Sequence, residues 1–215
     1  MAEVQGGRPD RPEPQVALLD YGAGNLHSLK KGLERGGARV RITPDWDEAL
    51  GLDALVLPGV GSFGAAVRAL RGHEDDVRRA LEDGLPCLGI CLGMQLFFAE
   101  SEEGEGAGIG LVPGRVRKLR GRRIPQMGWN DVTPEDDPVF EGTEGPDGLV
   151  AYYAHSYVCD AAQAPESVIA WSTYEEERFA AGVRRGRTVG VQFHPEKSSA
   201  SGLRLLENFL DEVAR

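Results

Sequence analysis

Long apolar runs are missing from this 215-residue chain. None reaches the roughly 18 residues that span a bilayer, so no membrane helix is expected. The opening, MAEVQGGRPDRPEPQ, has no apolar stretch, so no signal peptide is expected there. Basic residues are few: 24 Lys and Arg face 34 Asp and Glu, a net charge of −10. With no basic block, nucleic acid and anionic membrane are poor partners. Cysteine is scarce too. Three residues close no disulfide framework, which makes a reduced, cytoplasmic setting the default. Cys87 and Cys91 are four apart with no histidine nearby, so no zinc or other metal site is expected, and no cofactor.

What is present is a core. Hydrophobic residues make up 41% of the chain, enough for one large domain. Residues 1–14 are rich in Pro and Gly and read as a disordered tail; residues 15–215 read as a single domain. In its first half, short apolar runs at 16–20, 39–42, 54–57 and 87–90 alternate with helix-like stretches at 26–35, at 63–81 (broken near Gly72) and from Met94 to Glu100. That alternation predicts a parallel sheet covered on both faces. The second half changes to strand-like segments at 112–119, 129–133, 149–154, 168–172, 179–184 and 188–193, which predict an antiparallel or mixed extension. Acidic, Gly-rich stretches at 100–108 and 133–148 read as loops. A helix from Gly202 closes the chain. The expectation is a three-layer α/β fold, a mostly parallel central sheet with added antiparallel strands.

The sharpest local signal is Gly89-Ile90-Cys91-Leu92-Gly93, between an apolar strand and a helix. It fits the nucleophile elbow G-x-[nucleophile]-x-G with cysteine in place of serine. A nucleophile on so sharp a turn has a strained backbone, and glycines beside it let strand and helix approach. The helix N-terminus favours the thiolate, and the N–H of Leu92 points where an oxyanion develops. Taken alone, the motif reads equally well as a buried cysteine at a strand end.

A nucleophilic cysteine needs a base. His27 and His73 read as surface residues. His155 and His194 each end an apolar strand. Only His194 has a carboxylate two residues on, Glu196 beyond Pro195, and residues i and i+2 of an extended segment share a side. Such a carboxylate holds the imidazole tautomer and stabilises imidazolium. A rival signal is Gly59-Val60-Gly61-Ser62-Phe63-Gly64, the form of a dinucleotide fingerprint. It follows the third strand rather than the first, Pro58 interrupts its entry, and no acidic residue ends a strand about 20 positions later. The other use of such a loop is to aim backbone N–H groups at developing negative charge, which suits Cys91.

Together, GICLGMQ (89–95) and QFHPE (192–196) resemble the class I, triad-type glutamine amidotransferases, a flavodoxin-like fold in which Cys, His and Glu release ammonia from glutamine. YGAGN (21–25), LPGVGSFG (57–64), PQMGWN (125–130), HSY (155–157) and FHPEKS (193–198) are similar to the branch that serves histidine biosynthesis. The resemblance runs from about Val16 to the last helix. It implies Cys91 as nucleophile, His194 as base and Glu196 as orienting acid. It implies an oxyanion hole from Leu92 and the Gly59, Val60, Gly61 loop, and a glutamine pocket of Gln95, Glu103, His155, Ser156 and Tyr157. It also implies a heterodimer with a (β/α)8-barrel cyclase subunit, for which Asn25, Trp129 and Lys197 are the candidate contacts. Gln126 departs from the branch's usual histidine before Met-Gly-Trp-Asn. Another class I amidotransferase, a free-standing cysteine hydrolase of the same fold, a non-enzymatic binding module and a nucleotide oxidoreductase remain the alternatives.

Overall fold

The computed structural model describes residues 13–22, 26–59 and 61–215. Its first half is β1 (Gln15–Leu19), α1 (His27–Arg35), β2 (Arg39–Thr43), α2 (Trp46–Leu50), β3 (Ala54–Leu57), α3 (Phe63–Leu70), α4 (Glu74–Glu82), β4 (Cys87–Ile90) and α5 (Leu92–Gln95). The second half is β5 (Glu100–Ser101), β6 (Arg115–Lys118), β7 (Gln126–Pro134), β8 (Leu149–His155), β9 (Tyr157–Asp160), β10 (Val168–Tyr174), β11 (Glu177–Arg185), β12 (Thr188–Val191) and α6 (Ser199–Val213). Among the described residues, nine strands form one sheet in the order β2-β1-β3-β4-β12-β11-β10-β7-β8, and β5-β6-β9 form a small second one. From β2 to β12 neighbouring strands run parallel; from β12 to β8 they run antiparallel.

The strand residues explain this division. In β3 and β4 every residue is buried, as strands covered by helices on both faces must be. Along β1, Val16 and Leu18 face a core shared with Leu29 and Leu33 of α1 and Leu206 and Phe209 of α6. Ala17 and Leu19 face the opposite core, with Phe63 and Leu70 of α3 and Val77 and Leu81 of α4. This is the period of two, read onto two layers of helix. Strand β7 alternates instead. Gln126 and Val132 are buried, whereas Met127 and Trp129 are 67% and 55% exposed, so this half leaves a face open. The sheet curls until its last strand returns to the parallel half: the backbone N–H of His194, beyond β12, donates to Tyr152 O of β8 at 2.8 Å.

Two expectations need correction. The helix expected from Met94 to Glu100 ends at Gln95. The carbonyls of Leu96, Phe97 and Ala99 accept instead from the N–H groups of Ile109, Val112 and Gly108, so the chain packs against its own return loop rather than winding on. The segment 100–108, expected to be loop throughout, contributes the two-residue strand β5. The expected tail at 1–14 lies outside the described residues except for Glu13 and Pro14. Those two run beside β2, Pro14 O accepting from the N–H of Arg39 at 2.9 Å.

Candidate active site

The parallel strands deliver their carboxyl ends to one place. Tyr21 follows β1, Pro58 and Gly59 follow β3, Cys91 follows β4, and His194 and Glu196 follow β12. Open α/β sheets place their ligand crevice there.

Cys91 has φ 48° and ψ −102°, a strained conformation for a residue with a side chain. The flanking glycines hold it. A Cβ on Gly89 would come within 2.6 Å of Phe97 and 2.7 Å of the Gly93 backbone, and one on Gly93 would collide with the carbonyl of Leu57. The elbow is thus pressed onto β3 without intervening side chains. Leu92 opens α5, so its N–H has no intrahelical partner and is free to meet an anion. Gly59 is packed as tightly: a Cβ there would lie 2.8 Å from His194 Cε1 and 3.0 Å from Cys91 Cβ. Gly61 has φ 118°, a region that favours glycine. The Tyr21 hydroxyl donates to Pro58 O and tethers the entry to this loop. The first glycine of the G-x-G-x-x-G segment therefore lies against the cysteine and histidine. Val60 itself lies outside the described residues.

His194 is buried and its Nδ1 lies 2.8 Å from Glu196 Oε1. Burial pushes the imidazole down. Hydrogen bonding to the Cys91 and Glu196 side chains, and the negative charge of both, outweigh it and lift His194 to about 10. The site thus holds an imidazolium between sulfur and carboxylate. His155 is the reverse case. Burial pushes it down to about 4, helped by the like charge of His194 and against a hydrogen bond to the Tyr157 carbonyl, so its ring is neutral at pH 7. Its Nδ1 sits 2.8 Å from Tyr157 O and its Nε2 is 3.0 Å from the Gln126 side-chain oxygen. Gln126, the residue that departs from the branch's pattern, is buried directly opposite His155 in the β7–β8 ladder. Cys87 and Cys159 are buried thiols pushed well up by desolvation, unsuited to nucleophilic work.

A cleft of about 340 Å³ opens beside Cys91, and Gly59, Gly61, Leu92, Gln95, Glu103, His155, Ser156 and Tyr157 all line it, with Met127 at its margin. Glu103 accepts from the N–H of Phe63 at 3.2 Å, and partial burial raises its carboxyl. A larger hollow of about 660 Å³ lies elsewhere, among Arg120, Arg122, Glu175, Glu177 and Arg178, and contains no nucleophile. Two of its acids are already engaged, Glu175 and Glu177 accepting from the N–H groups of Arg122 and Arg120.

Outside the cleft, Trp129 meets the edge of Tyr152 with ring centroids 6.1 Å apart, and Lys197 Nζ stands 5.6 Å from the Tyr152 ring. The structure joins Trp129 and Lys197 into one surface; Asn25, the third candidate contact, lies outside the described residues. No cluster of three or more His, Cys, Asp or Glu able to hold a metal occurs among the described residues. No described helix is long and apolar enough to cross a membrane. Sequence reasoning missed one residue of the site, Gln192. It is fully buried, and its Nε2 lies 3.4 Å from Cys91 Sγ. The signal was there: Gln192 is two residues before His194, so an extended segment puts both on one side.

Comparison with known proteins decides the family. Residues 17–213 match the family described as glutamine amidotransferase class-I. The chain belongs to the class I glutamine amidotransferases. It is 43% identical over 208 residues to the imidazole glycerol phosphate synthase subunit HisH of Synechococcus sp. (strain JA-3-3Ab), covering 94% of this chain and 95% of that one. With the HisH subunit of Methanosarcina mazei it shares 42% over 202 residues, covering 92% and 98%. A solved structure of PurLQS from Thermotoga maritima superposes with a TM-score of 0.75 at 19% identity, covering 94% of this chain and 99% of that chain, a likeness of fold alone. The flavodoxin-like amidotransferase fold expected of this chain is thus the one it adopts.

Proposed function

We infer that this chain is the glutaminase subunit of imidazole glycerol phosphate synthase, acting in the cytoplasm in histidine biosynthesis. It hydrolyses L-glutamine to glutamate and ammonia. It passes the ammonia to a HisF-type (β/α)8-barrel cyclase subunit, with which it forms a heterodimer. There the ammonia and a phosphoribulosyl-formimino ribonucleotide give imidazole glycerol phosphate and aminoimidazole carboxamide ribonucleotide. Ring closure and the lyase chemistry belong to the cyclase. A direct passage has a physical reason: ammonia in water becomes ammonium, which is not nucleophilic.

The observation that carries the reading is the strained Cys91 beside the His194–Glu196 pair, both packed against Gly59. The Cys91 sulfur, as thiolate, adds to the side-chain amide carbon of glutamine. The carbonyl electrons move to oxygen, which the N–H of Leu92 and the loop at 59–61 receive. The His194 imidazolium gives its proton to the amide nitrogen, the C–N bond breaks and ammonia leaves. Water then attacks the thioester carbon while His194 takes its proton, and glutamate leaves as the S–C bond breaks. Glu196 orients His194 throughout. Gln95, Glu103, His155, Ser156 and Tyr157 hold the substrate.

The cyclase docks on the strip of Met127, Trp129, Tyr152 and Lys197. Two exposed apolar side chains at i and i+2, beside an aromatic ring and one cation, have the make-up of an interface anchor. Met127 also lines the cleft, so a partner seated there roofs the route by which ammonia leaves.

The test is glutamate release and product synthesis by the complex, fed glutamine or an ammonium salt. Cys91→Ala is expected to abolish the glutamine-dependent reaction and to spare the ammonium-dependent one. Loss of both would assign Cys91 a structural role instead.

A further inference from the structure

We propose that Gln192 is a catalytic residue of the amidohydrolysis, its side-chain N–H donating to the Cys91 thiolate in an orientation imposed by the Tyr157 carbonyl. The proposal rests on Cys91 being the nucleophile.

The argument is one of hydrogen-bond bookkeeping. A backbone carbonyl only accepts. Tyr157 O has two neighbours, Gln95 Nε2 at 3.1 Å and His155 Nδ1 at 2.8 Å, and both must therefore be N–H groups. Consider the first branch. Gln95 is buried, and its carboxamide nitrogen must be the atom at Tyr157. The same nitrogen lies 3.4 Å from the Gln192 side-chain oxygen, which takes its second hydrogen. With its oxygen committed, Gln192 turns its NH2 toward Cys91 Sγ at 3.4 Å, a normal distance for a nitrogen–sulfur bond. The orientation of two carboxamides is thus fixed by one atom that cannot donate. Had either amide been reversed, an oxygen would face the sulfur and favour the uncharged thiol.

The second branch shares that acceptor. His155 Nδ1 carries the proton at Tyr157 O, and its Nε2 lies 3.0 Å from the Gln126 side-chain oxygen, so a neutral ring requires that amide to be reversed, with its NH2 facing the ring. Both branches are consistent with Tyr157 O as the common acceptor.

The consequence is chemical. His194 supplies positive charge to the sulfur and also moves the proton. Gln192 supplies a donor that never gives up its hydrogen. It remains aimed at the sulfur when His194 has protonated the leaving nitrogen, and it stabilises the thiolate again when the thioester breaks. A donor to an ionised acceptor in a dry site is worth more than one between neutral groups.

The experiment uses the complex with the cyclase subunit and three proteins: the parent chain, Gln192→Met, which keeps length without a donor, and Gln192→Glu, which puts a carboxylate in its place. Iodoacetamide is the probe, with the Cys91 peptide followed by mass spectrometry from pH 5 to 10. Gln192→Met is expected to alkylate about tenfold more slowly at pH 7, with its pH midpoint moved up by about one unit. Its kcat for glutamine should fall on the order of tenfold or more, with KM changed much less and ammonium-dependent synthesis intact. Gln192→Glu should be slower still. A Gln192→Met profile that superposes on the parent's overturns the proposal. If a variant fails to co-elute with the cyclase, the parent protein decides. Its Gln192 side-chain 15N–H resonance should shift as Cys91 is alkylated, and a resonance that does not move overturns the proposal as well. Failure of the underlying reading looks different: the parent, fully alkylated at Cys91, would still hydrolyse glutamine.

Discussion

Two strands each bring a buried histidine to the site, and one ring is held charged while the other is held neutral. His194 leaves β12 in the parallel half and lies between a sulfur and a carboxylate, which hold its proton despite burial. His155 ends β8 in the antiparallel half and finds only an amide and a carbonyl as hydrogen-bond partners, so burial, helped by the like charge of His194, prevails and the ring stays neutral. Desolvation acts on both. The difference is the partner that each strand register supplies, and it separates a group able to carry protons from one able only to hold a shape.

The largest expected effect tests that separation directly. His194→Ala should lower glutamine turnover by roughly 10³-fold or more, because the base serves both half-reactions, while Glu196→Gln should cost distinctly less. His155→Ala should chiefly raise KM for glutamine. Steady-state kinetics of the three variants in the complex would break the comparison if His155→Ala lost turnover as fully as His194→Ala.

Next comes the open face. Trp129→Ala is expected to weaken the cyclase complex by about 10- to 100-fold in Kd, in the range of an aromatic anchor. Lys197→Glu should weaken it or uncouple glutamate release from product. Calorimetric titration together with the glutamate-to-product ratio checks both, and unchanged values for both would move the docking surface elsewhere.

The smallest effect sharpens the electrostatic contrast, and its sign differs for the two rings. His155 is held below its ordinary value of 6.5, so it contributes stability above that pH and loses it as pH falls toward 4, by at most roughly 3 kcal/mol. His194 is held above 6.5, so its contribution is complete below that value and is lost as pH rises toward 10. Replacing His155 with Gln should therefore flatten the stability curve on the acid side only, as urea unfolding between pH 4 and 10 would show. Flattening on the alkaline side instead would mean that the charge states have been assigned to the wrong rings.

Much of this arrangement was legible in the residues. Strands β3 and β4 declared themselves by short, wholly apolar runs ending in Pro58 and in the Cys91 elbow. The break of 63–81 at Gly72 appears as two helices, α3 and α4. What escaped was either short or set by distant contacts. Helix α2 is only five residues long, yet Asp45 caps it, accepting from the N–H groups of Asp47 and Glu48, and the order Asp45-Trp46-Asp47-Glu48 is the pattern of a capping box. Strand β9 has no alternation to betray it and owes its place to pairing with β6. The premature end of α5 depends on N–H groups nine to fifteen residues away. No local pattern reports such partners. Gln192 escaped because a glutamine inside an apolar strand is read by its neighbours, Val191 and Phe193, until the fold shows what its amide touches.

The Tyr157 carbonyl has a consequence for how this site can change over evolutionary time. It is a main-chain atom, so no codon change can replace it. Gln95 and His155 can each be exchanged by mutation, but the acceptor that both address is inherited with the strand itself. Sequence drift around the cleft is therefore constrained asymmetrically. A new side chain on either branch must still offer an N–H to that oxygen, and a lineage that loses the geometry of β9 loses both branches in one step.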